Sequence, residues 1–148
     1  MRRALLLAGI AAGAVALFTT VSYTYYQNQQ THSVVAFKTK LADLTYCRTG
    51  YDIASSMPHY QSRFAESSAE KIDLLKKSDE LLARKDHLDR LLDQHIAKAK
   101  DLPVFDPATL VKEVQWKAEL AVVNTAGWVE EPKDFLDHLD LRCEPYIN

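Results

Sequence analysis

Residues 67–100 have the sequence SSAEKIDLLKKSDELLARKDHLDRLLDQHIAKAK, in which leucines recur among charged side chains. Apolar residues repeated every seven positions fall on one face of an α-helix. Two such series run side by side here, and together they form what we call the leucine stripe: Leu74, Leu75, Leu81, Leu82 and Leu88. The pattern predicts a long amphipathic helix whose leucine stripe lies in a core or in a partner interface.

The heptad positions favour a helical bundle over a free two-stranded coiled coil. If Leu74 occupies position d, then Lys71, Ser78 and Lys85 occupy the first three a positions. A two-stranded coiled coil needs apolar residues at both a and d. The apolar positions here are d and e, which gives the wider stripe of a bundle helix. A coiled coil is the alternative, and either arrangement gives an all-α domain.

The segment before the leucine stripe predicts a helix over residues 31–49. Phe37, Leu41 and Leu44 recur at spacings of three and four, so they share one face. Gly50 follows and suits a helix C-terminus, where the backbone needs a positive φ. The next helix would occupy residues 58–100.

Two sequence signals for a helix N-terminus occur in or near the beginning of residues 58–100. Pro58 is tolerated in the first turn of a helix. Ser67 and Glu70 form a capping box just before the leucine stripe. We therefore expect a break near residue 67.

Asp106 and Pro107 suit the N-cap and first position of a helix over residues 107–124. Its apolar residues predict a central position, because they occupy two opposite sides. One side holds Leu110, Val111, Val114, Ala118, Ala121 and Val122, and the other holds Trp116, Leu120 and Val123. Residues 112–123 also alternate in polarity, so a strand is the alternative. The tryptophans Trp116 and Trp128 are interpreted as core residues.

The end of the chain predicts a turn and one more helix. Asn124 to Gly127 has the composition of a turn. Glu131 and Pro132 then begin a short helix over residues 132–141, with Phe135, Leu136 and Leu139 facing inward.

The first 26 residues have the order expected of a membrane anchor. Arg2 and Arg3 precede an uncharged apolar run over residues 4–21, and Tyr23, Tyr25 and Tyr26 follow it. A run of this length spans roughly 27 Å, near the thickness of a thin bilayer core. Tyrosines favour the membrane interface, and basic residues favour the cytoplasmic side. We predict an anchor over residues 1–26 and an extracytoplasmic domain over residues 27–148.

This topology places the N-terminus in the cytoplasm and the domain in the periplasm, with the anchor in the inner membrane. A cleaved signal peptide is an alternative, because Ala14 and Ala16 form an acceptable cleavage motif. Another alternative is that the anchor lies in the mitochondrial inner membrane. Gly9 and Gly13 form a G-x-x-x-G motif, which predicts a helix-packing face within the bilayer.

Cys47 and Cys143 are the two cysteines of the chain. An even cysteine count in an oxidising compartment predicts a disulfide. Two buried free thiols are the alternative, because a thiol packs as a small apolar group.

Composition and motifs argue against several functions. The net charge is −2, and no basic patch points to nucleic acid. Phosphate-binding, nucleophile-elbow and zinc motifs are missing from the sequence. Glu130, Asp134 and His138 are spaced four apart, but a solvated helix face explains them better than a metal site. His87 and His95 are interpreted as surface residues. We expect no catalytic residue, metal, cofactor or small-molecule substrate.

These observations predict a non-enzymatic accessory, structural or assembly subunit of a membrane or envelope complex. Its partners would be the lipid bilayer and other membrane or envelope proteins, with self-association as an option. A phage-type inner-membrane lysis subunit or a division-type bitopic protein shares the same plan. A ligand-binding helical sensor domain is a further alternative.

Overall fold

The computed structural model describes residues 2–128 and 131–147, with side chains from residue 27 onward. The described part of the chain is helical and contains no strand, which confirms the all-α class. Its elements are α1 (Arg2–Gln61), α2 (Ser68–Ile96), a 3₁₀ helix (Ala97–Asp101), α3 (Pro107–Trp128) and α4 (Pro132–Ile147). The strand alternative for residues 112–123 is therefore wrong.

The chain divides into two compact units, Met1–Ala36 and Phe37–Asn148. In the part whose side chains are described, none of the helices is long and apolar enough to cross a membrane. The predicted anchor and its Gly9 and Gly13 lie outside that part, so the anchor stays a prediction.

Helix α1 is the central helix of the second unit, a position that we had predicted for α3. From Phe37 onward it buries side chains on several sides, and these reach the core formed with α2, α3 and α4. The buried residues of this segment include Phe37, Leu41, Leu44, Thr45, Tyr46, Cys47, Tyr51, Ala54 and Ser55. A helix that is buried on several sides belongs in the middle of a bundle.

Gly50 does not end a helix, contrary to the sequence-based prediction. No described glycine has a positive φ, and α1 continues to Gln61. Gly50 is buried, and a Cβ at this position would overlap the side chain of Leu139 on α4. The glycine therefore allows α4 to approach α1 closely, which is a packing role that spacing along one helix cannot show.

Pro58 is also placed differently from the prediction, because it lies in the last turn of α1 and does not begin a new helix. The break comes after Gln61, and α2 begins with Ser67 as its N-cap. The Ser67 hydroxyl accepts a hydrogen bond from the Glu70 amide at 3.1 Å, and the Glu70 carboxylate accepts one from the Glu66 amide at 3.0 Å. The predicted capping residues thus satisfy helix-end amides.

Helix α2 buries positions a and d of its heptads, and not the d and e positions that the leucine spacing predicts. The buried residues are Ser78, Leu81, Leu88, Leu92 and His95. Ser78 fits at an a position because its hydroxyl donates to the Ser55 carbonyl of α1 at 2.8 Å. Lys85 fits because its ammonium group lies 2.6 Å from Asp89 while its apolar stem is covered.

The residues of the leucine stripe consequently differ in how far they are buried. Leu81 and Leu88 are buried, and Leu74 and Leu75 are half-buried. Leu82 at position e is 38% exposed. The burial of Ser78 at an a position does not follow from the sequence, because its partner, the Ser55 carbonyl, lies on a different helix.

Helices α3 and α4 run beyond their predicted ends. Asp106 caps α3, since its carboxylate accepts a hydrogen bond from the Thr109 amide at 3.0 Å. The expected turn at Asn124 to Gly127 is wrong, because these residues continue α3 to Trp128. Helix α4 begins at Pro132 and buries Phe135, Leu139 and Cys143.

Candidate interaction surface

An apolar surface, which we call the α3 outer face, is formed by Trp116, Leu120 and Val123. Their side chains are 66%, 48% and 55% exposed. The spacing of four and three residues places them together on one side of the helix. The core-facing residues Val111, Ala118 and Val122 occupy the other side.

The outer face corrects part of the sequence analysis. The prediction that these three residues and Trp128 are core residues is wrong, since Trp128 is 88% exposed. The spacing itself was right, because it identified a second apolar side of α3. Periodicity shows that a face is apolar but does not show what covers it.

Charged residues border this face on α3. Lys117 lies next to it and forms an ion pair with Glu113 at 2.6 Å, and this hydrogen bond from Lys117 lowers the pKa of the Glu113 carboxyl. Both groups are exposed, so the pair adds little stability. A polar border around an apolar centre is the usual composition of a protein-binding surface.

A groove of about 470 Å³ lies between α1 and α3, beside the outer face. Its lining residues include Ala42, Ala118, Ala121, Lys38 and Arg142. Small side chains on two helices leave this space open.

Tyr46 connects α3 to the central helix. Its hydroxyl lies 3.2 Å from the Thr125 hydroxyl on α3 and 3.2 Å from His138 Nε2 on α4. The Arg142 guanidinium stacks over the Tyr46 ring at 3.8 Å from the ring centre. This cation–π contact orients the Tyr46 ring, whose hydroxyl bonds to Thr125 of α3.

Cys47 and Cys143 join the central helix to α4. Their sulfur atoms are at disulfide-bond distance, with the two Cα atoms 5.7 Å apart and both residues fully buried. The alternative of two free thiols does not hold, since neither cysteine in the chain is free. The sequence predicted this pair from the cysteine count and the proposed compartment.

A cluster of polar side chains lies at the contact between α1 and α4, which we call the seam. The buried Tyr51 hydroxyl donates to Asp140 at 2.6 Å, and Arg84 Nη1 also lies 2.6 Å from that carboxylate. Burial and the neighbouring Asp140 carboxylate raise the pKa of Tyr51 to about 12. The cluster connects α1, α2 and α4 through one carboxylate, and no sequence motif indicated it.

Asp134 and His138 are the described members of the polar series on α4 that the sequence analysis considered. Glu130 lies outside the described residues, Asp134 is exposed, and His138 contacts Tyr46. Among the residues that the structure describes, no group of three or more histidine, cysteine or acidic side chains is arranged to hold a metal. His95 contradicts its prediction as a surface residue, because it is buried against Phe37.

Comparisons with known proteins give no relative: no family model matches the chain, and neither the curated proteins nor the solved structures contain a match. The inference of function therefore depends on the residues themselves.

Proposed function

We propose that this chain is a non-enzymatic, single-pass membrane protein whose helical domain binds another protein of a membrane or envelope complex. In this role it acts as an accessory, structural or assembly subunit. The N-terminus would lie in the cytoplasm and the domain in the periplasm.

Two independent features support this topology. The N-terminal sequence has the cationic, apolar and aromatic order of an inner-membrane anchor. Cys47 and Cys143 are paired in the domain, as expected of an oxidising compartment. The first feature supports the membrane and its orientation, and the second supports an oxidising compartment for the domain.

The α3 outer face is the observation that carries the protein-binding role. Exposed aromatic and aliphatic residues in one contiguous patch are typical of a contact surface, and tryptophan is enriched among residues that dominate binding. Covering the exposed part of Trp116, on the order of 100–150 Å², would contribute about 2.5–4 kcal/mol before the costs of association. The partner would therefore offer an apolar pocket with polar edges.

Site-specific photocrosslinking in cells tests the contact. A photoreactive residue at Leu120 should give a defined crosslinked protein, identified by mass spectrometry, and the Trp116→Glu substitution should remove that product. Asp79, an exposed residue of α2, provides the matched control position. Equal crosslinking from both positions, or none from Leu120, would contradict the proposal.

The anchor has a separate test. Intact-mass measurement of the membrane-extracted protein should show that residues 1–26 are retained. A mature N-terminus at Leu17 or later would instead indicate a cleaved signal peptide.

A further inference from the structure

A second cavity, of about 300 Å³, lies on a different part of the domain from the α3 outer face. It is lined from α1, α2, the 3₁₀ helix and α4, and its polar lining residues are Lys40, His87, Gln94, His95, Lys98 and Tyr146. Among the described residues that line it, none carries a carboxylate. The cavity is therefore rich in hydrogen-bond donors and potential positive charge.

The two lysines differ from others in the domain. Lys85, Lys117 and Lys133 each have a carboxylate 2.6 Å from the ammonium nitrogen. In the described ranges 27–128 and 131–147, Lys40 and Lys98 form no such ion pair. Their charges thus remain available to an anion in the cavity.

His95 gives the cavity a fixed polar group. Its side chain is only 8% exposed, and its ring stacks on Phe37 with 4.5 Å between the ring centres. Nε2 lies 3.0 Å from the Phe37 carbonyl oxygen, which can only accept, so Nε2 carries a proton. Within the described residues Nδ1 has no hydrogen-bond partner.

Asp43 is an acidic residue in contact with the cavity lining. Its carboxylate lies 3.1 Å from the Arg142 guanidinium and 3.4 Å from the Tyr146 hydroxyl. Arg142 compensates the charge of Asp43, which therefore does not neutralise both lysines. The residues that line the cavity therefore keep the positive charges of Lys40 and Lys98.

We propose that this cavity binds a phosphate-class dianion, either inorganic phosphate or the phosphomonoester of a lipid headgroup. Two ammonium groups match two negative charges, and the Gln94 side-chain amide supplies directional donors for the oxygens. The volume leaves room for a small organic group attached to the phosphate. The proposal is independent of the α3 outer face and of its protein partner.

The test uses the full chain in a zwitterionic detergent, titrated with inorganic phosphate at constant ionic strength. NMR signals of the His95 and His87 rings should shift and saturate. Lys40→Gln combined with Lys98→Gln should weaken the apparent affinity by roughly tenfold, since two charge contacts are lost. The control is Lys71→Gln with Lys76→Gln, which removes two exposed charges from α2 and should leave the affinity unchanged.

A second arm separates the two sources of phosphate. In nanodiscs that contain phosphatidic acid, the histidine shifts appear without added phosphate if a lipid headgroup binds. In phosphatidylcholine nanodiscs, they appear only after inorganic phosphate is added. An absence of saturable shifts in every arm, or an equal loss of affinity in both double variants, would overturn the proposal.

Discussion

The seam between α1 and α4 and the outer face of α3 both contain large apolar side chains, but only the seam is covered by the rest of the domain. Cys47, Tyr51, Leu139 and Cys143 are fully buried in the seam. Trp116, Leu120 and Val123 face solvent. Burial removes apolar surface from water and stabilises the fold, so substitutions in the two regions should have very different consequences.

The comparison also separates stability from binding. The seam combines the cysteine pair with apolar packing and a shared carboxylate, Asp140, which joins three helices. The outer face has no comparable contacts in the described residues. Its apolar side chains are therefore available for a partner.

Removing the cysteine pair should cause a large loss of stability. Cys47 and Cys143 are 96 residues apart, and opening a loop of that size lowers the free energy of unfolding by about 4–5 kcal/mol in the chain-entropy treatment. Urea denaturation of the Cys47→Ala, Cys143→Ala double variant measures this loss. An unchanged unfolding midpoint would show that the seam does not depend on the crosslink.

Leu81→Ala should lower the free energy of unfolding by about 2–5 kcal/mol, because Leu81 is buried in the core of the domain. Leu81→Asp should prevent folding, since it buries an unpaired carboxylate. The matched substitutions are Leu82→Ala, at the partly exposed e position, and Asp86→Ala on the exposed face. In thermal unfolding, Leu81→Ala should lose much more stability than Leu82→Ala or Asp86→Ala. The reverse order would mean that the wrong face of α2 has been assigned to the core.

The two glycines of the domain should respond in opposite directions to alanine. Gly50→Ala introduces a Cβ against Leu139 and should destabilise by about 1–3 kcal/mol through overpacking. Gly127→Ala meets open space in α3 and should stabilise by about 0.5–1 kcal/mol through helix propensity. Equal changes in unfolding free energy would argue against close packing of α4 on α1.

The Tyr51 hydroxyl should ionise at an unusually high pH, and its contribution to the free energy of unfolding should depend on pH. Its folded-state pKa of about 12 lies above the usual value of 10.0, so its contribution is fully present below pH 10. That contribution is lost as the pH rises from 10 through 12. Tyrosinate absorbance should therefore lose a late-titrating group in Tyr51→Phe, while Tyr146, whose pKa is raised by burial and by Asp43, still titrates above its usual value. A titration unaffected by this substitution would contradict the assignment to Tyr51.

Trp116→Glu should have the smallest effect on stability, within about 0.5 kcal/mol, because the side chain is mostly exposed. The same substitution should remove the Leu120 crosslink, whereas Trp116→Phe should preserve much of it. Chemical denaturation and crosslinking of the same preparations provide both readouts. A large loss of stability would show that the outer face belongs to the core.

The sequence by itself determined the local features of this protein. Helix starts at Ser67, Asp106 and Pro132 follow from side-chain capping and from the fixed φ of proline, and both effects act over only a few residues. The apolar faces follow from the helical period. The cysteine pair could be inferred because the chain has just two cysteines.

Only the tertiary structure decided which apolar faces are covered and which polar residues are buried. Ser78 and His95 enter the core because α1 offers them the carbonyl groups of Ser55 and Phe37. Gly50 is needed because α4 approaches there. Trp116 stays exposed because α1 takes the central position instead of α3. Each outcome depends on a partner distant in sequence, whereas helical periodicity reports only the properties of one segment.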